Sequence, residues 1–410
     1  MATREVKIGS FALGVNNKLE PSELDVVLPD RSKGQYLYGG DNIDIGRKGR
    51  VKRRAGTTQL IEARTHSVWS DSPYSEAFAV INDQLERLVE SVGLSRTVVR
   101  TGMPRLPVSY SRGADGDVYW SNGVVLRRIV NGVDHPAHTE PFEQAPQTAV
   151  GTGGALVAAQ YLICFTRVTV DGESPATQVV ALDVPAGGTI AWLASEEAHV
   201  YLSGPNGDVL TLQDVGTAGT IFTHNERSYR CETILTQSMP AGTIVRHYNS
   251  RLLVAAGRTL HASKQYHYGV CDPRRDYFQF SADITMVEPT DNGLYLATTE
   301  RTYWISDLYD DKLQEVLPYG AIPYTSGRSP DDEQVYWQST RGLVVGDKNM
   351  SVKNVQEDAL EVPPAASGAT LYRERDGMTH VVSTRADSAV SVGIATTWMD
   401  ADVIRKGTEL

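Results

Sequence analysis

The sequence predicts an all-β fold, and three observations support that prediction. From about residue 66 the chain is a succession of short runs rich in Val, Ile, Tyr, Trp and Thr, each ended by Gly, Asn, Asp or Pro. A strand-turn-strand pattern recurs at a fixed interval, and one long stretch interrupts it. The only segment with helical character, 82–89, is short, and its Asp83-Gln84 pair indicates a hairpin turn instead.

The repeat is clearest in the second half of the chain. Three segments share the pattern of a strand, a short polar turn and a second strand: -RLLVAAGRTLHAS-, -NGLYLATTERTYWISD- and -DEQVYWQSTRGLVVGD-. Alignment of Leu252, Leu294 and Tyr336 gives two intervals of 42 residues, and a fourth unit begins at Met378 after another 42. In the first half, -EAFAVINDQLERLVE- and -GDVYWSNGVVLRRIV- begin 40 residues apart.

These intervals predict a β-propeller, because four-stranded blades repeat at about 40 to 45 residues. Leu252, Leu294 and Tyr336 should then occupy equivalent strands of successive blades. An irregular β-sandwich with chance spacing is the alternative, and the equal intervals disfavour it.

Residues 145–236 interrupt the repeat and predict an inserted domain. They contain -YLICFTRVTVDGESPATQVVALDV- and -AHVYLSGPNGDVLTLQDV-, alternating strand patterns with turns at Asp171-Gly172 and Asn206-Gly207. The pattern indicates a small β-sandwich of the fibronectin type III kind that is removable as a unit. The first blades then lie in 66–144, and the remaining blades and the C-terminal tail lie in 237–410. The blade regions amount to about 240 residues, which predicts about six blades of roughly 40 residues each.

Residues 1–65 have little continuous apolar character and predict an extended N-terminal arm. The arm contains a basic run of six charges in eight residues: Arg47, Lys48, Arg50, Lys52, Arg53 and Arg54. The total charge is −11, so the rest of the chain carries −17 once these six positive charges are set aside. We expect the run, with Arg50 and Arg53 foremost, to form salt bridges to a neighbouring subunit. Purely electrostatic contact with DNA and a solvated loop are the alternatives.

The usual catalytic and metal-binding motifs are absent from the sequence, so we expect no enzyme activity, no cofactor and no metal. A P-loop, a G-x-S-x-G elbow, an H-E-x-x-H motif and an EF-hand loop do not occur. The glycine-rich stretch 151–159 lacks phosphate-loop spacing. His135 and His138 are separated by Pro136-Ala137 and indicate a solvated loop more than a metal site. Three cysteines without C-x-x-C spacing suggest neither a disulfide framework nor a zinc site.

The sequence shows no apolar leader at its start and no apolar stretch long enough to cross a bilayer, so we expect no membrane anchor. Seven aromatic residues suggest either strand cores or a carbohydrate-stacking surface, and their mid-strand positions favour cores. They are Trp69, Trp120, Tyr201, Tyr295, Trp304, Tyr336 and Trp337.

The order of several motifs resembles a known family. The segments -NIDIGRKGRVKRRAGTTQL-, -HSVWSD-, -FAVINDQLERL-, -VYWSNG-, -YLICFTRVTVDGESPA- and -GTIVRHYNSRLLVAAGRTLHASK- follow one another as in the tail hub and head-to-tail connector β-propeller proteins of tailed bacteriophages. The similarity spans about residues 42–347. It is the order of the motifs, rather than any one of them, that supports it.

The resemblance implies a structural virion protein of the phage tail, as hub, nozzle or connector ring, made in the host bacterial cytoplasm. Its expected partners are copies of itself in a ring, portal or adaptor proteins, other tail proteins, and double-stranded DNA that passes without sequence recognition. An acidic chain agrees with such a channel, because it repels phosphates. A glycan- or receptor-binding tail module and a propeller hydrolase are the competing functions.

Overall fold

The computed structural model describes residues 10–386 except 30–31, 41–42, 47, 54–59, 72–75, 91–92, 227–228, 309–311, 330–332, 363 and 376–377. The described residues are strands, turns and loops, apart from the single-turn 3-10 helix η1 at Pro21–Glu23, which confirms the all-β prediction. They divide into two compact units. Unit 1 contains the described residues up to Pro107 and from Phe280 onward, and unit 2 is Val108–Gln279.

The N-terminal arm is less extended than its composition indicates, because it folds into two short antiparallel hairpins. They are β1 (Asp25–Val27) with β2 (Lys33–Gln35), and β3 (Ile43–Ile45) with β4 (Val51–Arg53). The arm also contacts a later part of the same chain. The amide of Asn17 donates to the carbonyl of Ala359, and the amide of Glu361 donates to the Asn17 side chain at 2.7 Å.

The first four-stranded antiparallel sheet comprises β5 (Thr65–Ser70), β6 (Ala77–Ile81), β7 (Gln84–Glu90) and β8 (Leu94–Arg100). The hairpin predicted here is confirmed, but its turn is Asn82-Asp83, one residue earlier than expected. Both turn residues have positive φ, at 48° and 64°, which is typical of the type I′ turn that joins twisted strands.

Unit 2 begins with a second four-stranded sheet: β9 (Ser109–Arg112), β10 (Val118–Ser121), β11 (Leu126–Val130) and β12 (Val133–Pro136). The interrupting segment follows it. Its strands are β13 (Gln147–Leu156), β14 (Ala159–Thr166), β15 (Val168–Thr169), β16 (Gly172–Glu173), β17 (Val180–Val184), β18 (Gly188–Ser203) and β19 (Leu210–Ile221).

Five strands of this insert form one antiparallel sheet in the order β13-β18-β14-β17, with β19 on the free side of β18. The 16-residue β18 pairs with β13 along its first half and with β14 along its second half. Its register with β19 shifts between Leu193 and Ala198, which allows the long strand to bend. The insert has its own apolar core, which includes Tyr161, Phe165 and Trp192. Its likeness to a fibronectin type III sandwich stays a prediction.

After the insert, β20 (Gln237–Ser238) pairs with β24 (Val270–Cys271). A third four-stranded sheet follows in the order β21 (Ile244–Tyr248), β22 (Arg251–Ala256), β23 (Thr259–Ala262) and β25 (Tyr277–Gln279). This sheet lies against the sheet that precedes the insert: the amide of Val245 donates to Ser109 Oγ at 3.0 Å, and that of His247 to Ser111 Oγ at 2.8 Å. The insert therefore interrupts the chain between two sheets that are neighbours in space.

Unit 1 continues with two further four-stranded sheets and a hairpin. The sheets are β26 (Ile284–Thr290), β27 (Gly293–Thr298), β28 (Thr302–Ile305) and β29 (Leu313–Leu317), then β30 (Gly327–Arg328), β31 (Gln334–Ser339), β32 (Gly342–Asp347) and β33 (Val352–Asn354). The hairpin is β34 (Ser367–Arg375) with β35 (Met378–Ala386). The two sheets share a core that contains Tyr295, Trp304, Trp337 and Val344.

The predicted repeat positions are confirmed. Leu252, Leu294 and Tyr336 lie on β22, β27 and β31, which are each the second strand of a four-stranded sheet, and all three are buried. The 40-residue interval of the first half relates the hairpins β6-β7 and β10-β11 in the same way, as second and third strands.

Burial falls from the inner strands to the last strand of each sheet. Every residue of β10 and β27 is buried, whereas β8 and β29 are mostly exposed. The second strands are covered on both faces, so their sequences are continuous apolar runs instead of alternating ones. Among the described residues, no helix has the length and apolarity required to span a membrane.

Candidate functional site

The described part of the basic run lies on the β3-β4 hairpin, and all of its side chains are exposed: Lys48, Arg50, Lys52 and Arg53. Arg47 and Arg54 lie outside the described residues. Among the residues that the structure describes, no carboxylate lies within ion-pair distance of Arg50 or Arg53. The hairpin therefore presents concentrated positive charge on a chain that is otherwise acidic.

The turn of this hairpin is fixed by the start of the arm. Ser10 Oγ donates to the carbonyl of Lys48 at 2.7 Å, and the amide of Phe11 donates to the carbonyl of Gly49 at 2.9 Å. Gly49 has a φ of +68°, and a Cβ at this position would lie 2.4 Å from the amide nitrogen of Ala12. Only glycine suits this turn, so the basic side chains extend from a backbone with a defined conformation.

A second group of charged residues lies within unit 2, where the insert meets the sheet that precedes it. Arg128 on β11 donates through Nη1 to Asp117 Oδ2 at 3.2 Å, and through Nη2 to Asp171 Oδ1 at 3.1 Å. Its Nη2 also donates to the carbonyl of Val170, which lies in the turn of the β15-β16 hairpin. His135 Nδ1 lies 3.2 Å from Asp171 Oδ1. We call these residues the Arg128 cluster.

The Arg128 cluster is largely buried, which strengthens the attraction between its opposite charges. The side chains of Arg128, Asp117 and Asp171 are 15%, 16% and 13% exposed. Burial and the nearby Asp115 raise the pKa of the Asp117 carboxyl, although Arg128 opposes that shift. The β15-β16 hairpin is also held by an uncharged contact: Thr139 Oγ1 donates to the carbonyl of Gly172 at 2.6 Å. The cluster therefore fixes the orientation of the β15-β16 hairpin.

The two histidines considered as metal ligands have other partners. His135 faces Asp171, and His138 Nε2 lies 2.6 Å from Ser238 Oγ, on the other side of the insert in sequence. Among the described residues, no group of three or more His, Cys, Asp or Glu side chains is arranged to hold a metal ion.

Six of the seven aromatic residues named above are buried core residues: Trp120, Tyr201, Tyr295, Trp304, Tyr336 and Trp337. Trp69 on β5 is half-buried and stacks on Phe78 with ring centroids 6.2 Å apart. Tyr295 shows why the core role suits them, because its hydroxyl donates to the carbonyl of Asp347 at 2.7 Å while its ring packs on Trp337. The six buried rings are unavailable for stacking on a sugar.

Four histidines have pKa values below the ordinary 6.5, because burial penalises the charged imidazolium: His66, His138, His247 and His261. For His66, burial and the neighbouring Arg64 lower the pKa to about 4. Each ring is therefore neutral in the folded chain at pH values where the unfolded chain would begin to protonate it.

Acidification should destabilise the chain through these histidines. Between pH 6.5 and about 4, the unfolded chain binds a proton at residue 66 that the folded chain does not, so stability falls as the pH falls through this window. We expect the melting temperature to decrease steadily from pH 7 to pH 4.5. The melting temperature of a His66→Gln variant should decrease less over the same pH range. Equal losses in the variant and the unaltered chain would contradict the assignment to His66.

Comparisons with known proteins find similarity to solved structures of β-propeller and WD40 domains. No protein-family model matches the chain, and no curated protein matches it. Among solved structures it is similar to the Cps50 (Swd1) β-propeller domain of Myceliophteria thermophila, at 12% identity and a TM-score of 0.36, covering 80% of this chain and 95% of that one. It is also similar to the WD40 β-propeller domain of Doa1, at 12% identity and a TM-score of 0.32, covering 80% and 91%. The WD40 domain of Neurospora crassa Pan2 is 9% identical with a TM-score of 0.31, covering 70% and 76%.

Proposed function

We propose that this chain is a structural protein of a bacteriophage tail, acting as a hub, nozzle or connector subunit that assembles into a ring and docks other tail proteins. The observation that carries the proposal is the exposed basic hairpin on an acidic chain. Arg50 and Arg53 extend from a fixed turn, and the rest of the chain offers an excess of carboxylates. A second copy or an acidic neighbour in the tail is the surface that such a hairpin fits.

The architecture proposed for this role is a β-propeller of about six blades. The described residues contain five four-stranded antiparallel sheets, in each of which the last strand is more exposed than the second. This is the construction of a propeller blade. The β34-β35 hairpin is the start of the sixth blade in this proposal.

A structural role also agrees with the two other groups of residues described above. The Arg128 cluster holds the β15-β16 hairpin in place, and six of the aromatic residues named above pack in cores. The competing glycan-binding function would require exposed aromatic faces, which these six buried residues do not offer. The proposed location is the virion tail, after synthesis in the bacterial cytoplasm.

Charge reversal on the hairpin tests the docking proposal. The double variant Arg50→Glu and Arg53→Glu should fold normally, because both side chains are exposed, yet its incorporation into tails should fall at least about tenfold, as expected for loss of about 1.4 kcal/mol or more of interfacial attraction. Incorporation is measured as the amount of chain in purified particles, and self-association by sedimentation of the purified chain at low and high salt.

The matched control is Arg230→Glu with Lys353→Glu, which changes the net charge equally at two exposed positions outside the arm. It should assemble like the unaltered chain. If the hairpin variant assembles normally and only retention of packaged DNA suffers, the docking role is wrong and DNA contact replaces it.

A further inference from the structure

Two cysteines that are far apart in sequence meet inside the insert. Cys164 lies on β14, and Cys231 lies in the segment 229–236, which we call the exit segment because it leads from the insert to β20. Their Sγ atoms are 3.9 Å apart. Both residues are buried, at 0% and 8% exposure.

Backbone pairing on both sides places the two cysteines next to each other. Cys164 is opposite Tyr201 in the β14-β18 register. The amide of Cys231 donates to the carbonyl of Leu210 at 3.1 Å, so the exit segment is hydrogen-bonded to the start of β19. Tyr201, Leu210 and both cysteines belong to one apolar cluster. The two sulfur atoms are therefore adjacent in the folded chain.

The two thiols are not equivalent. Cys164 donates a hydrogen bond to the sulfur of Cys231, and this bond lowers the pKa of Cys231, with help from Thr233, although burial opposes the shift. The same contact and burial raise the pKa of Cys164. Cys231 is thus the thiol that more readily becomes the nucleophilic thiolate.

We propose that Cys164 and Cys231 form a redox pair that closes to a disulfide under oxidising conditions. The oxidant is a low-molecular-weight disulfide. The Cys231 thiolate attacks one sulfur of the oxidant and releases its first thiol; the Cys164 thiolate then attacks the Cys231 sulfur and releases the second. Two electrons and two protons pass from the protein to the oxidant, and the Sγ atoms approach to about 2.05 Å.

The bond would fasten the exit segment to a central strand of the insert. A chain made in a reducing compartment would hold the pair as thiols, and the bond would form after transfer to an oxidising one. Because the closed loop is long, the cross-link restricts the unfolded chain strongly, and we expect the melting temperature of the oxidised protein to rise by about 5 °C.

The test uses the purified full-length chain and oxidised glutathione as the probe. After incubation, the number of free thiols per chain should fall from three to one. Peptide mapping should find a link between the peptides that contain residues 164 and 231. Cys271 is buried elsewhere, against Gln237, and serves as the internal reference. The variant Cys271→Ala should lose both remaining thiols, whereas Cys231→Ala should lose none.

Because both sulfurs are buried, the reaction is run in buffer and again in urea just below the unfolding transition, which opens the exit segment without unfolding the chain. Three free thiols under both conditions would overturn the proposal. So would a mapped link that involves Cys271, because it would mean that another pairing is preferred.

Discussion

Replacement of Asp276 by Ala is expected to lower the free energy of unfolding by about 3–5 kcal/mol. Asp276 Oδ1 lies 3.5 Å from Arg251 Nη1, and each side chain is only 7% exposed. Arg251 also donates to the carbonyl of Ser263 at 2.7 Å, so the guanidinium is held in place within the third sheet. Without Asp276, the buried cation would keep its desolvation cost and lose the attraction of this carboxylate. Urea titration followed by fluorescence measures the loss.

The control for this prediction is an exposed ion pair, Arg301 with Glu315, whose side chains are 51% and 37% exposed. Glu315→Ala should cost much less stability than Asp276→Ala, because solvent screens the pair. The double variant Arg251→Met and Asp276→Leu should be more stable than Asp276→Ala, since neither charge then remains buried. A loss below about 1 kcal/mol for Asp276→Ala would mean that water reaches Arg251.

The second large effect is expected at the Arg128 cluster. Arg128→Met should increase amide hydrogen exchange in residues 168–174 by about 10- to 100-fold, because Asp117 and Asp171 would be left without their shared cation. The β15-β16 hairpin would then lose the bonds that orient it on β11. Exchange followed by mass spectrometry measures the effect peptide by peptide.

The neighbouring residue supplies the matched control. Arg127 is also on β11, but its Nε donates to Asp134 Oδ2 at 2.7 Å, within the same sheet. Arg127→Met should therefore loosen β11 and β12 while exchange in the β15-β16 hairpin stays unchanged. If both variants loosen the hairpin equally, its orientation depends on the sheet as a whole and not on Arg128.

Much of the fold was predictable from local patterns. The 42-residue intervals identified second strands correctly, because a strand that is covered on both faces must be a continuous apolar run, and such runs are visible in sequence. Most turns could also be predicted from the sequence, because residues that tolerate positive φ are common in them. Asn206 in the predicted Asn206-Gly207 turn has a φ of 53°. The segment 145–236 appeared as a break in the repeat, and five of its strands form one sheet.

The candidate sites were predictable only where charge is concentrated in sequence. The basic run was found because its members are adjacent, and the structure adds that its described side chains are exposed on a hairpin. Arg128 gave no such signal, because its partners Asp117 and Asp171 lie 11 and 43 residues away.

The sequence by itself determined the all-β class and the spacing of the second strands, because strand burial and turn geometry depend on neighbouring residues. Only the tertiary structure decided which distant side chains meet. Cys164 and Cys231 are separated by 67 residues, and their sulfurs are 3.9 Å apart because the exit segment returns over the sheet. Such contacts depend on how strands are ordered and how loops close, and local periodicity carries no information about either.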